Sequence, residues 1–556
     1  MRRTLLLALA AALTLLVPLT AGAAKQAPSK RTYVVLYERG ASVGAAHQAI
    51  EHAGGRIVRE NRKVGVATVR SANARFVAVV ARSRAVYGAA RNRSIGYVPA
   101  NHARPRDPFA LERMTAERRS AAGSGQVVQA AGAAEPFASL QWDMRLINAT
   151  PQTSYKRQRG KGVRVGIIDT GIDGSHPDIA PNFNASLSRN FTTDDPTIDG
   201  PCEVPSCKDP ANVDENGHGT HVAGTVGAPI NKLGMSGVAP SVELVNIRAG
   251  QDSGYFFLQP SVDALTYAAD TGVDVVNMSY YIDPWLYNCA NNPTDSPEQQ
   301  LEQRTIVAAT ERALRYARRH GVTLVSAEGN GHTDLGKPVV DATSPDYPPG
   351  GERERPVDNS CKSEPLEGPG VIGVTSVGPS TRKAYYSDYG LEQADVSAPG
   401  GDIREGYGTP DYRNPANTVL APYPKSLALA NGELNPDGTP NTPFVLADCS
   451  QGACAYYQYL QGTSMASPHA VGVAALVVGA RGQRDRVHGG KTLSPDVVER
   501  VLESTAQDHA CPDPPVFAYP DPDLTPDFTA ICEGTPERNG FYGDGIVDAF
   551  AASAKR

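Results

Sequence analysis

The sequence predicts an α/β fold with a mostly parallel, doubly wound sheet, preceded by a small α+β domain. Three observations predict it. Compact runs rich in Val and Ile, at Val163–Ile168, Glu243–Ile247, Val273–Met278, Val322–Ala327 and Val371–Val377, alternate with helical stretches such as Val262–Thr271 and Arg304–His320. Runs that are apolar on both faces suit strands buried in a parallel sheet. Asp169 follows directly on the first run, at a strand's carboxyl end, where doubly wound sheets build their sites. Ahead of this pattern the N-terminal segment carries its own β-α-β-β-α-β order.

In that segment Thr32–Tyr37 is β-branched and aromatic and predicts a strand, while Ala45–Ala53 predicts a helix closed by Gly54-Gly55. Strands follow at Arg56–Arg59 and Val64–Val69, then a helix over Ala72–Ala81 and a last strand near Ile95–Val98. Together they predict a split βαβ, ferredoxin-like sandwich over residues 31–100. From Asn101 to Pro136 the chain turns rich in Arg, Ala and Gly with little periodicity, which reads as a linker over 101–137. Residues 138–556 then form the larger domain. Within it Ala470–Ala480 is apolar but short, and predicts a buried helix.

Arg2 and Arg3 precede an apolar run from Leu5 to Leu19, and Ala21-Gly22-Ala23-Ala24 offers small-residue cleavage positions. Residues 1–24 therefore read as an export signal; the run falls short of the roughly 20 residues of a membrane span. The net charge of −6 hides an asymmetry, because residues 25–137 hold 19 basic and 7 acidic side chains. A basic N-terminal part facing an acidic body suggests two pieces that attract each other. No motif interleaves aromatic with basic residues, so nucleic acid is not an expected partner. Eight cysteines lie between Cys202 and Cys532. In an exported chain an even count implies disulfides, and eight cysteines allow 105 pairings. Sequence proximity favours Cys202–Cys207 and Cys449–Cys454, with Cys511–Cys532 and, by elimination, Cys289–Cys361 completing the set. No paired C-x-x-C spacing supports a zinc site.

Three strings carry the chemistry: Asp169-Thr170-Gly171, His218-Gly219-Thr220-His221 and Gly462-Thr463-Ser464-Met465-Ala466. A hydroxyl becomes a useful nucleophile when an imidazole takes its proton and a carboxylate orients that imidazole. The serine string is not a G-x-S-x-G elbow, since Ala466 ends it and Asp and His precede Ser rather than follow it. His218 and His221 are not a metal pair of the H-E-x-x-H kind, and His221 reads as structural. The order Asp, His, Ser is that of the subtilisin triad.

The stretch from Val165 to Asp173, the stretch from Asn216 to Gly224 and Gly462–Pro468 resemble the aspartate, histidine and serine motifs of the subtilisin-like serine peptidases. The likeness runs from about Gln141 to Asp548. It implies the family's three-layer α/β/α fold and a secreted serine endopeptidase in which Ser464 attacks, His218 moves the proton and Asp169 orients the imidazole. The N-terminal sandwich resembles the family's propeptide, implying an intramolecular inhibitor removed by a cut in the 101–137 stretch. Ser326-Ala-Glu-Gly-Asn330 resembles the oxyanion-hole motif and implies Asn330 as a donor. Asn277-Met-Ser279 resembles the strand that pairs with substrate backbone.

Departures from that family fall in the substrate pocket. Tyr281 stands where a small residue is usual, and Glu328 replaces a small residue before Gly329. By the match of Ser344–Pro348, Asp346 falls at the pocket floor, where a buried carboxylate would favour Lys or Arg at the cleavage site. The stretch Pro229–Pro240 aligns to the family's calcium loop and implies a side-chain oxygen from Asn231, backbone oxygens from Pro229, Leu233 and Met235, and a carboxylate from Asp178. Ala138 stands about where the family's N-terminal ligand, a Gln, is expected. No organic cofactor is implied. The expected partners are protein or peptide substrates and the chain's own propeptide, with no membrane span and a monomeric state. Two other classes of function remain open at this point: a binding protein on an inactivated protease scaffold, and a maturation protease dedicated to one precursor.

Overall fold

The structure is a computed structural model and describes residues 31–92, 110–120, 123–129, 132 and 134–554. The export-signal reading of residues 1–24 and the strand expected near Ile95–Val98 lie outside these residues.

The N-terminal unit follows the expected order: β1 (Arg31–Tyr37), α1 (Val43–His52), β2 (Gly55–Asn61), β3 (Val66–Ser71), α2 (Phe76–Val80) and β4 (Val86–Asn92). Its sheet runs β2-β3-β1-β4, antiparallel throughout. One expectation is corrected, and one strand was not foreseen. The second helix starts four residues late because Asn73 turns the chain first, its Oδ1 accepting from Arg75 N and its carbonyl from Phe76 N. A strand that the sequence reading did not name lies at Val86–Asn92, where Gly88, Ala89 and Ala90 give little strand signal. Their smallness serves packing: a Cβ on Gly88 would stand 2.3 Å from Thr305 Oγ1 of the helix it lies against.

The body is built on a seven-stranded sheet, parallel at every pairing. In chain order its strands are β6 (Arg164–Ile168), β7 (Arg189–Asn190), β8 (Glu243–Arg248), β9 (Val275–Met278), β10 (Thr323–Ala327), β11 (Val371–Val377) and β12 (Val396–Pro399), with β5 kept for Val127–Val128 before them. Their spatial order is β12-β11-β10-β9-β6-β8-β7. The chain leaves β6 for β8 on one side and then crosses to β9 on the other, so a switch point lies beside β6. One layer of helices covers each face. On one face are α5 (Leu258–Asp270) and α6 (Pro297–Arg319); on the other are α4 (His218–Gly227) and α7 (Thr463–Arg481). The α7 helix is apolar and long enough to cross a membrane, but it is the buried core helix of this body.

The basic N-terminal unit docks on α5 and α6. Asn61 Nδ2 donates to Asp263 Oδ1 (2.8 Å) and Thr266 Oγ1 (2.7 Å), and Arg59 pairs with Asp263 at 2.7 Å. Arg312 of α6 donates to Tyr37 O, and Val34, Leu36, Val64 and Val66 join the apolar cluster of α5 and α6. The charge asymmetry of the sequence therefore has a contact surface. All four disulfides pair as expected: Cys202–Cys207, Cys289–Cys361, Cys449–Cys454 and Cys511–Cys532.

Part of the stretch read as a linker packs on the body. Residues 110–120, including α3 (Thr115–Ser120), run across the face that carries Ser464. Beyond them β5 adds in parallel to β14 (Val445–Asp448) of a sheet that also holds β13 (Val419–Pro422) and β15 (Ala455–Leu460).

Candidate active site

The carboxyl ends of β6, β9 and β10 and the first turns of α4 and α7 meet at the switch point. Asp169 ends β6 and is fully buried. Its Oδ1 receives His218 Nδ1 at 2.8 Å and Thr170 N at 2.7 Å. Burial pushes this carboxyl above its ordinary range, opposed by the His218 charge and those hydrogen bonds. His218 opens α4, whose start is held by Asp214: its Oδ1 accepts from Asn216 N and Gly217 N, and its Oδ2 from Thr220 N and Oγ1. Thr170 Oγ1 also donates to Asp214, tying the two segments together. Asp214 escaped the sequence reading, because it lies three residues before the Gly217 N-cap and so outside the position where a capping side chain is sought. His221 is structural as expected, its Nε2 3.1 Å from both Val419 O and Gln458 O, and burial pulls it down to about 3.

Ser464 lies in the first turn of α7, after Gly462 at φ +145°. Asn330 sits three residues beyond β10, and its Oδ1 accepts from Thr463 N (2.9 Å) and Thr463 Oγ1 (3.0 Å). Thr463 Oγ1 in turn accepts from Gly329 N at 3.0 Å. Gly329 has φ +119°, and a Cβ there would stand 2.2 Å from Asp388 Oδ2, so this position needs Gly. The Asn330 amide is thereby turned with its Nδ2 outward.

One further residue completes the site, and nothing in the sequence pointed to it. Glu112, an acid in an Arg- and Ala-rich stretch, is only 3% exposed. Its Oε1 accepts from Ser464 Oγ at 2.7 Å and from Asn330 Nδ2 at 2.9 Å, and its Oε2 stands 3.1 Å from His218 Nε2. Burial alone would lower the His218 pKa; the charges and hydrogen bonds of Asp169 and Glu112 overcome that and hold it at about 10.

The expected substrate residues gather nearby. Ser279 Oγ donates to Ser464 O at 3.3 Å and accepts from Asn277 Nδ2. Tyr281 donates its hydroxyl to Asp346 Oδ2 at 2.5 Å. Asp283, which the sequence reading passed over, faces Asp346; burial first, and then the charge and hydrogen bond of Asp346, push its carboxyl well up. Asp346 is pushed up by burial, against hydrogen bonds from Asp283 and Tyr281. Glu328 is buried, and burial first, then its acidic neighbours Asp395, Asp388 and Glu367, push its carboxyl well up.

The loop expected to hold calcium wraps carboxylates instead through its N–H groups. Asp178 is fully buried and accepts from Asn231 Nδ2 (3.0 Å), Met235 N (3.2 Å) and Tyr457 OH (3.1 Å). Asn231 Oδ1 is taken by Leu233 N. Glu135 accepts from Lys232 N and Leu233 N, close to where Ala138 left the N-terminal ligand unidentified, and Asp448 accepts from Gly234 N. Pro229 is buried at the start of the loop. Elsewhere, two groups of three carboxylates share Glu203: Asp194, Glu203 and Asp209, and Glu203, Glu215 and Asp252.

Comparison with known proteins agrees with this geometry. The subtilase family profile matches residues 160–527. Subtilisin DY of Bacillus licheniformis is 28% identical over 348 residues, 63% of this chain and 85% of that protein. The major intracellular serine protease of Bacillus subtilis is 32% identical over 181 residues, 32% of this chain and 46% of that protein. The crystal structure of the epidermin leader peptide processing serine protease of Staphylococcus aureus shares the fold, with a TM-score of 0.60 at 19% identity over 94% of this chain and 98% of that one. The chain belongs to the subtilase family. It is accordingly a serine endopeptidase.

Proposed function

We propose that the chain is the precursor of a secreted endopeptidase in which Ser464 Oγ attacks the peptide carbonyl, His218 accepts its proton and returns it to the leaving amine, and Asp169 holds the imidazole. Asn330 Nδ2 donates to the oxygen that becomes negative in the tetrahedral intermediate. Water then hydrolyses the acyl-enzyme with His218 acting as the base. The observation that carries this reading is convergence. Three side chains from three distant segments address one carboxyl group, and the histidine among them is bonded to a fourth, Asp169, at 2.8 Å.

The β1–β4 unit acts as a propeptide, supported by its docking on α5 and α6. Export is supported by the four disulfides, which form in oxidising compartments. The Asp283–Asp346 pair shares negative charge beneath Tyr281, which favours a Lys or Arg side chain in the pocket. Asp178, a buried carboxylate without a cationic side-chain partner among the described residues, would hold a calcium ion only if the Asn231 amide turned its Oδ1 from Leu233 N toward the ion and the Met235 N–H and Tyr457 hydroxyl gave way. Asn231 and the carbonyls of Pro229, Leu233 and Met235 would complete its shell, and the ion would stabilise the loop.

A fluorophosphonate probe tests the reading. It should label the processed wild type at one serine and leave Ser464→Ala unlabelled. Absence of labelling in every processed form would favour the scaffold-only alternative, and activity confined to one precursor sequence would favour the dedicated protease.

A further inference from the structure

We propose that Glu112 is a side-chain latch on the catalytic centre, carried by a strap that belongs to the body, so that losing the N-terminal unit does not by itself open the site. The inference rests on the peptidase reading above.

The Glu112 carboxylate places a negative oxygen between Ser464 Oγ and Asn330 Nδ2, where the reaction would develop one. It is held as a ligand and does not react, because an ionised carboxyl carbon is a poor electrophile and no bond to Ser464 forms. Room for it comes from Gly462: a Cβ there would stand 2.9 Å from Glu112 Cγ and 3.1 Å from Oε1.

The strap's anchors lie in the body, not in β1–β4. Leu111 packs with Tyr519, Leu524 and Phe528 against the Ala384–Tyr386 cluster. Gln461 N donates to Glu112 O at 3.2 Å, and Arg113 Nη2 to Asn216 Oδ1 at 2.8 Å. Met114 is buried among Phe137, Leu233 and Tyr457. Arg118 pairs with Glu433 and lies 4.8 Å over the Phe444 ring. Further on, β5 is hydrogen-bonded into the small sheet. A cut before residue 110 frees the β1–β4 unit and leaves every one of these contacts in place. Opening the site then needs a second event, either a cut beyond Glu112 or displacement of the strap by substrate.

The test compares fluorophosphonate labelling rates of full-length wild type, Glu112→Ala and Glu112→Gln, with melting curves confirming that each is folded. Wild type is also measured after limited tryptic removal of the N-terminal unit at Arg106, with the new N-terminus checked by mass spectrometry. The full-length Glu112→Ala chain should label at least roughly tenfold faster than wild type, the effect of losing one charge-assisted hydrogen bond. Glu112→Gln should fall between them, and wild type cut at Arg106 should stay slow. Equal rates for full-length wild type and both variants would overturn the latch. A cut wild type as fast as Glu112→Ala would overturn its independence from the N-terminal unit. If no form labels, variants and fully processed enzyme included, the peptidase reading itself has failed.

Discussion

Thr463 is the residue whose removal best tests how the oxyanion donor is held. Its hydroxyl accepts from Gly329 N and donates to Asn330 Oδ1, each at 3.0 Å, while its backbone N–H holds the same Asn330 oxygen at 2.9 Å. Thr463→Val keeps the shape and the backbone bond but deletes two hydrogen bonds. At about 1 kcal/mol net each, the loss is about 2 kcal/mol, or roughly 30-fold in kcat if it falls wholly on the transition state. Asn330→Ala removes the donor itself, which costs about 2.7–4 kcal/mol by a figure that comes from a subtilisin. Because the hydroxyl acts through Asn330, the two losses should not add. The double variant should sit close to Asn330→Ala, giving a coupling of about 1–2 kcal/mol. The assay is kcat and KM on a peptide anilide with active-site-titrated mature enzyme. A further 30-fold fall in the double variant, or a change confined to KM, would refute the proposed role of Thr463.

The pH response of the precursor follows from His218, whose raised pKa in the latched form stabilises that form fully below the ordinary histidine range and loses this contribution as pH rises through about 10. Labelling of the full-length chain should therefore stay slow at neutral pH and quicken above about 10, and Glu112→Ala should abolish the step. Among the disulfides, Cys289–Cys361 closes a span of 72 residues and Cys202–Cys207 one of 5. Loop entropy then assigns about 4 and about 2 kcal/mol to them; urea unfolding of paired Cys→Ser variants, in a Ser464→Ala background, should show the larger loss for the long span. Peptides differing only at the cleaved residue should be cut faster after Lys or Arg than after Phe or Leu, and Asp346→Asn should shrink that preference; equal cutting of all four contradicts the acidic pocket. Chelation should lower the melting temperature of the wild type and leave Asp178→Asn unmoved, which thermal melts with and without added calcium would register.

Five of the seven parallel strands were legible because each is a short Val- and Ile-rich run, whereas the edge strands Arg189–Asn190 and Val396–Pro399 are too short and too poor in β-branched residues to stand out; the positions of Asp169, His218, Asn330 and Ser464 were legible because short motifs mark them. Other features leave no local trace. The Val86–Asn92 strand is dominated by small and polar residues, since its task is to let a helix approach, and propensity cannot see that. Glu112 is invisible for a different reason: its environment comes from Ser464, Asn330 and His218, between 106 and 352 residues away along the chain. The strap around it looks like spacer because it borrows its order from the surface beneath. At the calcium loop the motif gave the right residues to inspect, while the orientation of their N–H groups is a matter of backbone geometry that letters do not encode.

The nucleophile rides on a helix buried along nearly its whole length, packed against β9, β10, β11 and β12. Ser464 therefore has no position of its own until that helix has been enclosed by the sheet on one side and α4 on another. A half-folded chain is not a weak protease; it is none at all. Cutting power arrives only with the finished body, when the strap is already at hand to restrain it.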